Sequence, residues 1–161
     1  MKKLIGLLFL LILLLFLPIF NCFTISNGST DQLVFVGKIK DFENFDVDFT
    51  HSVNKTPVKE FYKIKGKGFN LYKAEFSSYG AGMSDGMDID RAKISHGENN
   101  EIYLDLDDDF EIITYYVGTV ADHRINYKDK TLHLNQLLEV KSPAVLALKR
   151  LSIFDILKVG K

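Results

Sequence analysis

Asn44-Phe45-Asp46-Val47-Asp48-Phe49-Thr50-His51-Ser52-Val53 sets Phe45, Val47, Phe49, His51 and Val53 on one side of an extended chain and Asp46, Asp48, Thr50 and Ser52 on the other. Successive side chains of a strand point to opposite faces, so this alternation marks a strand with one face in a core. Similar runs rich in Val, Ile, Phe and Tyr occur at residues 33–40, 57–65, 69–77, 101–106, 110–120, 124–127 and 131–135. Lys65-Gly66-Lys67-Gly68, Asp107-Asp108-Asp109 and Tyr127-Lys128-Asp129-Lys130 are the turn candidates between them. Short strands at this spacing predict an all-β fold, an antiparallel β-sandwich or small barrel. Long amphipathic helices do not alternate with the strands, which argues against a doubly wound α/β fold.

The two ends of the chain read differently. Met1-Lys2-Lys3 precedes residues 4–17, which carry no polar side chain, and the apolar character continues through Ile25. A basic start before about 20 apolar residues has the layout of an uncleaved signal anchor. Residues 1–25 are therefore expected to form a transmembrane helix, with the N-terminus cytoplasmic and the rest extracytoplasmic by the positive-inside rule. A cleaved signal, giving a secreted domain, and a lipoprotein signal with Cys22 as the lipidated residue are the alternatives. Residues 26–32 read as a polar linker and 33–161 as the exported β domain. At the other end Ser142 is a candidate N-cap, Pro143 suits a first helical turn, and Val145, Leu148 and Leu151 follow at helical spacing, so a short C-terminal helix is expected. Residues 80–100, rich in Gly, Ser and Asp, read as a long loop.

Composition excludes several classes. The 161 residues are 47% hydrophobic and 25% charged with a net charge of −1, an ordinary globular balance without the basic excess of a nucleic-acid binder. Cys22 is the single cysteine, so no internal disulfide and no multi-cysteine zinc site is available. The four histidines at 51, 96, 123 and 133 lack short metal-ligand spacing, and no metal or cofactor is expected. Asp105-Leu106-Asp107-Asp108-Asp109-Phe110-Glu111 clusters carboxylates, but an EF-hand loop from Asp105 would need glycine at Phe110 and glutamate at Tyr116. Gly82-Met83-Ser84-Asp85-Gly86 matches the nucleophile-elbow pattern without the strand–turn–helix context that elbow requires. His51 and Ser52, neighbours in the strand expected over residues 44–53, face opposite ways and so make an improbable base and nucleophile. The sequence therefore predicts no enzyme.

Two blocks do carry information. His51-Ser52-Val53-Asn54-Lys55-Thr56-Pro57-Val58-Lys59-Glu60-Phe61-Tyr62 is followed by Phe76-Ser77-Ser78-Tyr79-Gly80-Ala81-Gly82-Met83. The pair, in this order and spacing, resembles the bacterial and archaeal family catalogued as domain of unknown function 1850. Its members show an H-S-V-x-x-T-P-V-x-E block and then an F-x-S-[FY]-G-A-G block. The resemblance implies a small, N-terminally anchored protein associated with TAXI-type TRAP transporters, either with the permease or with its solute-binding protein. It brings no established activity and no catalytic residues.

The residues themselves allow two uses. His51, Ser52, Thr56, Pro57, Glu60, Ser78, Tyr79, Gly80 and Gly82 are candidates for a ligand or partner site, or for a structural motif that holds a hairpin and a tight turn. The expected function is a membrane-anchored extracytoplasmic accessory module of such a transporter. The alternative is a domain that binds or senses a small ligand, such as an organic anion, around His51, Glu60 and the Gly80–Gly82 turn.

Overall fold

The computed structural model describes residues 5–6, 13–53, 55–77, 93–97 and 101–159. Eleven strands are assigned among them: β1 (Phe20–Asn27), β2 (Leu33–Lys38), β3 (Asn44–Thr50), β4 (Pro57–Lys65), β5 (Gly68–Phe76), β6 (Lys93–His96), β7 (Ile102–Phe110), β8 (Ile112–Tyr116), β9 (Arg124–Tyr127), β10 (Lys130–His133) and β11 (Pro143–Leu151). They form a four-stranded sheet in the order β2-β1-β11-β8 and a seven-stranded sheet in the order β10-β9-β3-β4-β5-β7-β6. Every strand pairing is antiparallel. The expected antiparallel, sandwich-like β fold is present.

The alternation in β3 does what its pattern predicts. Phe45 and Val47 are buried in the core, where they meet Phe23 and Ile25 of β1, Leu146 of β11 and Tyr115 of β8. Phe23 stacks on Phe42 at 3.9 Å between ring centroids and meets Phe45 and Phe69 edge-on. Burial of each such side chain stabilises the fold by about 1.5–3 kcal/mol, so this cluster is what holds the two sheets together. On the opposite face of β3, the Asn126 amide donates to Asp46 at 2.6 Å and to Asp48 at 2.7 Å, and Arg124 pairs with Asp48. The polar face of the strand is thus a cross-strand ladder with β9.

Two turns were legible. β4 and β5 are joined through Gly66 and Lys67, with Gly66 in the left-handed region at φ +63°. Gly68 opens β5 against the end of β7, where a Cβ would lie 2.2 Å from the Phe110 carbonyl oxygen, so this close approach requires glycine. The β9–β10 hairpin turns through Lys128, which has φ +51°.

Three expectations are corrected. Residues 20–25 are not the end of a helix: they lie in β1, paired on one side with β11 from Phe20↔Leu151 to Asn27↔Ala144 and on the other with β2. Phe23 and Ile25 are fully buried, and Thr24 donates its hydroxyl to the Ala147 carbonyl at 2.9 Å. Pro18 stops a helix from running into this segment, and aromatic and β-branched side chains then suit a central strand. The domain consequently starts at Phe20 rather than 33, and the polar linker shrinks to the β1–β2 turn. Among the described residues no helix is long and apolar enough to cross a membrane. Cys22 is buried in β1, and burial pushes its thiol pKa up.

The expected helix from Ser142 is instead strand β11, and the C-terminal helix is limited to Ile153–Leu157. Pairing with β1 along its length, and with β8, outweighs the local helical spacing. The cap is Ser152: its hydroxyl accepts from the Asp155 N–H at 3.1 Å, and Asp155 accepts from the Ser152 N–H at 2.9 Å. Finally, Asp107–Asp109 are no hairpin tip but part of β7, paired with β5. Asp107 and Asp109 both accept from the Asn70 amide at 2.7 Å and pair with the Lys65 ammonium. At Glu111 the chain leaves the large sheet and passes to β8 of the small one.

Candidate functional site

β3 ends at Thr50 and β4 begins at Pro57, and the connection between them is a tight loop. The His51 N–H donates to the Thr56 carbonyl at 2.8 Å, the Lys55 N–H donates to the His51 carbonyl at 3.0 Å, and Lys55 takes φ +58°. The alternation of the opening stretch therefore stops at Thr50: Val53, read as the continuation of the apolar face, is 77% exposed. Because His51 and Ser52 lie in a loop, the strand rule that separated their side chains does not apply. Both line one cleft of about 410 Å³, together with Phe49, Thr114 to Tyr116, the segment after Gly118, and His123.

The expected neighbourhood of His51 and Glu60 takes another form. In the β3–β4 register Glu60 stands opposite Val47, whereas His51 follows Thr50, the partner of Pro57. At about 3.3 Å per residue the two positions are roughly 13 Å apart along the ladder. Glu60 shares the core-facing side of β4 with Val58 and Tyr62, and its partners are two tyrosines. Tyr62 donates to Glu60 Oε2 at 2.9 Å, Tyr115 of the other sheet donates to the same oxygen, and the two hydroxyls are 2.9 Å apart. Burial pushes the Glu60 carboxyl above its ordinary pKa while the tyrosine hydroxyls pull it partway back. Burial, followed by the Glu60 charge, pushes both tyrosine hydroxyls up. A carboxyl held by one hydroxyl from each sheet acts as a polar clamp across the core.

Behind the cleft, His123 is 8% exposed, with its ring 4.8 Å from Phe49 and 5.0 Å from Tyr115. Its Nδ1 is buried and has no hydrogen-bond partner among the described residues. Desolvation lowers its pKa to about 4, so the ring is neutral near neutral pH.

Of the residues selected from sequence, His51 and Ser52 meet at this cleft, Thr56 closes the loop beneath them, and Glu60 lies in the core clamp. Pro57 borders a separate depression of about 280 Å³ with Asp48, Lys59, Glu75 and Arg124. Ser78, Tyr79, Gly80 and Gly82 lie outside the described residues, as does the turn they were expected to form. Sequence reading missed Tyr62, Tyr115 and His123. Tyr62 carried a signal, since it is two residues from Glu60 on one strand and must share its face. Tyr115 and His123 carried none, because only the packing of β8 and β9 brings them here.

The family described as "Domain of unknown function (DUF1850)" matches residues 45–134. The chain belongs to the DUF1850 family. The matched stretch runs from β3 through β10 and contains Glu60, Tyr62, Tyr115 and every residue of the cleft. It leaves out β1, β2 and β11, so the DUF1850 match covers the large sheet and β8 but not the rest of the small sheet. Comparison with the curated proteins and with the solved structures finds no match.

Proposed function

We propose that this DUF1850 chain works without turnover, as an extracytoplasmic module held at the membrane by its first 19 residues and associated with a TAXI-type TRAP transporter. The reading is carried by one observation, the opposed positions of the chain entry and the cleft. The chain enters the sandwich at Phe20, and Phe23 packs on Phe42 and Phe45 at the start of β3. The cleft opens beyond the other end of β3, where Phe49 lies against Tyr115 and His123. The 7 residues of β3 separate the two ends by about 20 Å. A domain tethered at the first end turns the cleft away from the bilayer, towards a soluble partner. Of the two partners the family resemblance implies, this favours the solute-binding protein over the permease.

Lys2-Lys3 before an apolar run supports the tether, although it must now finish before β1. The test is co-purification. The full chain, tagged at its C-terminus and extracted in mild detergent, is expected to retain the binding protein or the permease. An extract in which both transporter proteins are present and neither is retained refutes the association.

Binding of a small ligand is the second reading, favoured by the buried His123 Nδ1, which has no partner among the described residues, in a cleft of about 410 Å³. A buried polar atom left without a partner costs about 1–3 kcal/mol, which a ligand would offset.

A further inference from the structure

We propose that the His51–His123 cleft takes an uncharged, hydroxyl-bearing ring compound, with its apolar face against the Phe49–Tyr115 wall and a hydroxyl on His123 Nδ1. The proposal rests on the ligand-binding reading and names the ligand class. Three features of the cleft converge on it.

Size comes first: about 410 Å³ lies within the range of about 300–1,000 Å³ usual for small-molecule sites. The second feature is charge. Among the described residues no Asp, Glu, Lys or Arg lines the cleft. Two charged side chains next to its lining residues are already engaged. Lys55 donates to the Ser52 carbonyl at 2.7 Å, and Asp122 accepts from Asn135 at 2.8 Å and lies 3.6 Å from His133 Nδ1. An anion is held best by a partner cation and a cation by a carboxylate. The lining residues are instead aromatic, among them Phe49 and Tyr115, or hydroxyl-bearing, among them Ser52 and Thr119. Such a surface receives a ring with C–H groups on one face and hydroxyls at its edge.

The third feature is the orphaned nitrogen. Tyr115 is the hydroxyl-bearing ring next to His123, but its hydroxyl is committed to Glu60 and Tyr62 on the other side. A neutral imidazole can accept from or donate to a hydroxyl, so a neutral O–H partner suits Nδ1 in either tautomer. His123 lines the cleft, its Nδ1 is buried, and the ring's χ2 torsion is soft enough to turn that nitrogen towards a ligand. Burial that keeps this ring unprotonated works against a carboxylate or phosphate ligand in the same place.

The experiment uses the full chain in detergent with ¹⁵N-labelled histidine. myo-Inositol and glucose serve as neutral probes and succinate as the charged one. The His123 imidazole signals, assigned by His123→Gln, are expected to move saturably with at least one neutral probe and not with succinate. Thr119→Val should weaken that binding several-fold and provides the check if His123→Gln does not fold. Saturable shifts with succinate alone overturn the neutral class while leaving the ligand-binding reading intact. No saturable response to any of the three overturns both, and a trapped water then accounts for Nδ1.

Discussion

Tyr115→Phe is the sharpest probe of how the two sheets are joined. The substitution removes one hydroxyl and leaves the ring, so packing against Phe49 and His123 is kept and no large cavity opens. What is lost is one of the two hydroxyls on Glu60 Oε2 and the link to the Tyr62 hydroxyl. A hydrogen bond to a carboxylate contributes about 1.5–3 kcal/mol, which is the expected loss at a pH above the raised pKa of Glu60. For a chain of this length it lowers Tm by roughly 3–12 °C. Urea denaturation of the wild type, Tyr115→Phe, Glu60→Gln and the double variant completes a cycle, with an expected coupling of about 1 kcal/mol or more. Tyr116→Phe is the control: that neighbour is 69% exposed, and its loss should stay within about 0.5 kcal/mol. A Tyr115→Phe loss no larger than the control's, with zero coupling to Glu60, would refute the clamp.

Titration adds two signed expectations. The folded pKa of Glu60 is raised, so its stabilising share is present below the ordinary value of 4.5 and is lost as pH rises through the folded value. Glu60→Gln should therefore gain on the wild type as pH rises from about 4, as read by denaturation at several pH values. His123 has the opposite sign. Its folded pKa of about 4 lies below the ordinary value near 6.5, so its contribution, on the order of 3 kcal/mol, is present above 6.5 and lost as pH falls to 4. His123→Gln should flatten that acid limb, and an unchanged limb would show that the ring is not buried as described. Gly68→Ala should destabilise by about 2 kcal/mol or more in thermal melts, because the added Cβ meets the Phe110 carbonyl, a backbone atom that cannot step aside. Ser152→Ala should cost about 1 kcal/mol and fray the last helix, seen as faster amide exchange at residues 153–157.

What the sequence made legible is the part written in period two. β3, β4 and the Gly66 turn follow from local alternation and from glycine's freedom at positive φ. β1 and β11 were illegible for a shared reason. Each is apolar enough to pass for another element, Phe20–Asn27 for the end of an anchor and Pro143–Leu151 for a helix, and each is fixed as a strand by the other. A pairing between segments more than a hundred residues apart leaves no local trace. The same limit applies to the site. His51, Ser52 and Glu60 sit in one motif and drew attention together, but tertiary packing sends Glu60 to the core with Tyr115 and gives His51 and Ser52 to the cleft with His123. Asp107–Asp109 misled in the other direction: three carboxylates look like an exposed tip until Asn70 and Lys65 supply partners for Asp107 and Asp109 from neighbouring strands.

The central claim is that a tethered sandwich presents its cleft away from the bilayer to a transporter partner. A photo-crosslinking side chain placed in living cells at Tyr116, on the cleft, and at Lys67, in the turn at the opposite end, tests it most directly. The account predicts an adduct with the TRAP solute-binding protein from position 116 and none from position 67. Adducts from position 67 alone would contradict it.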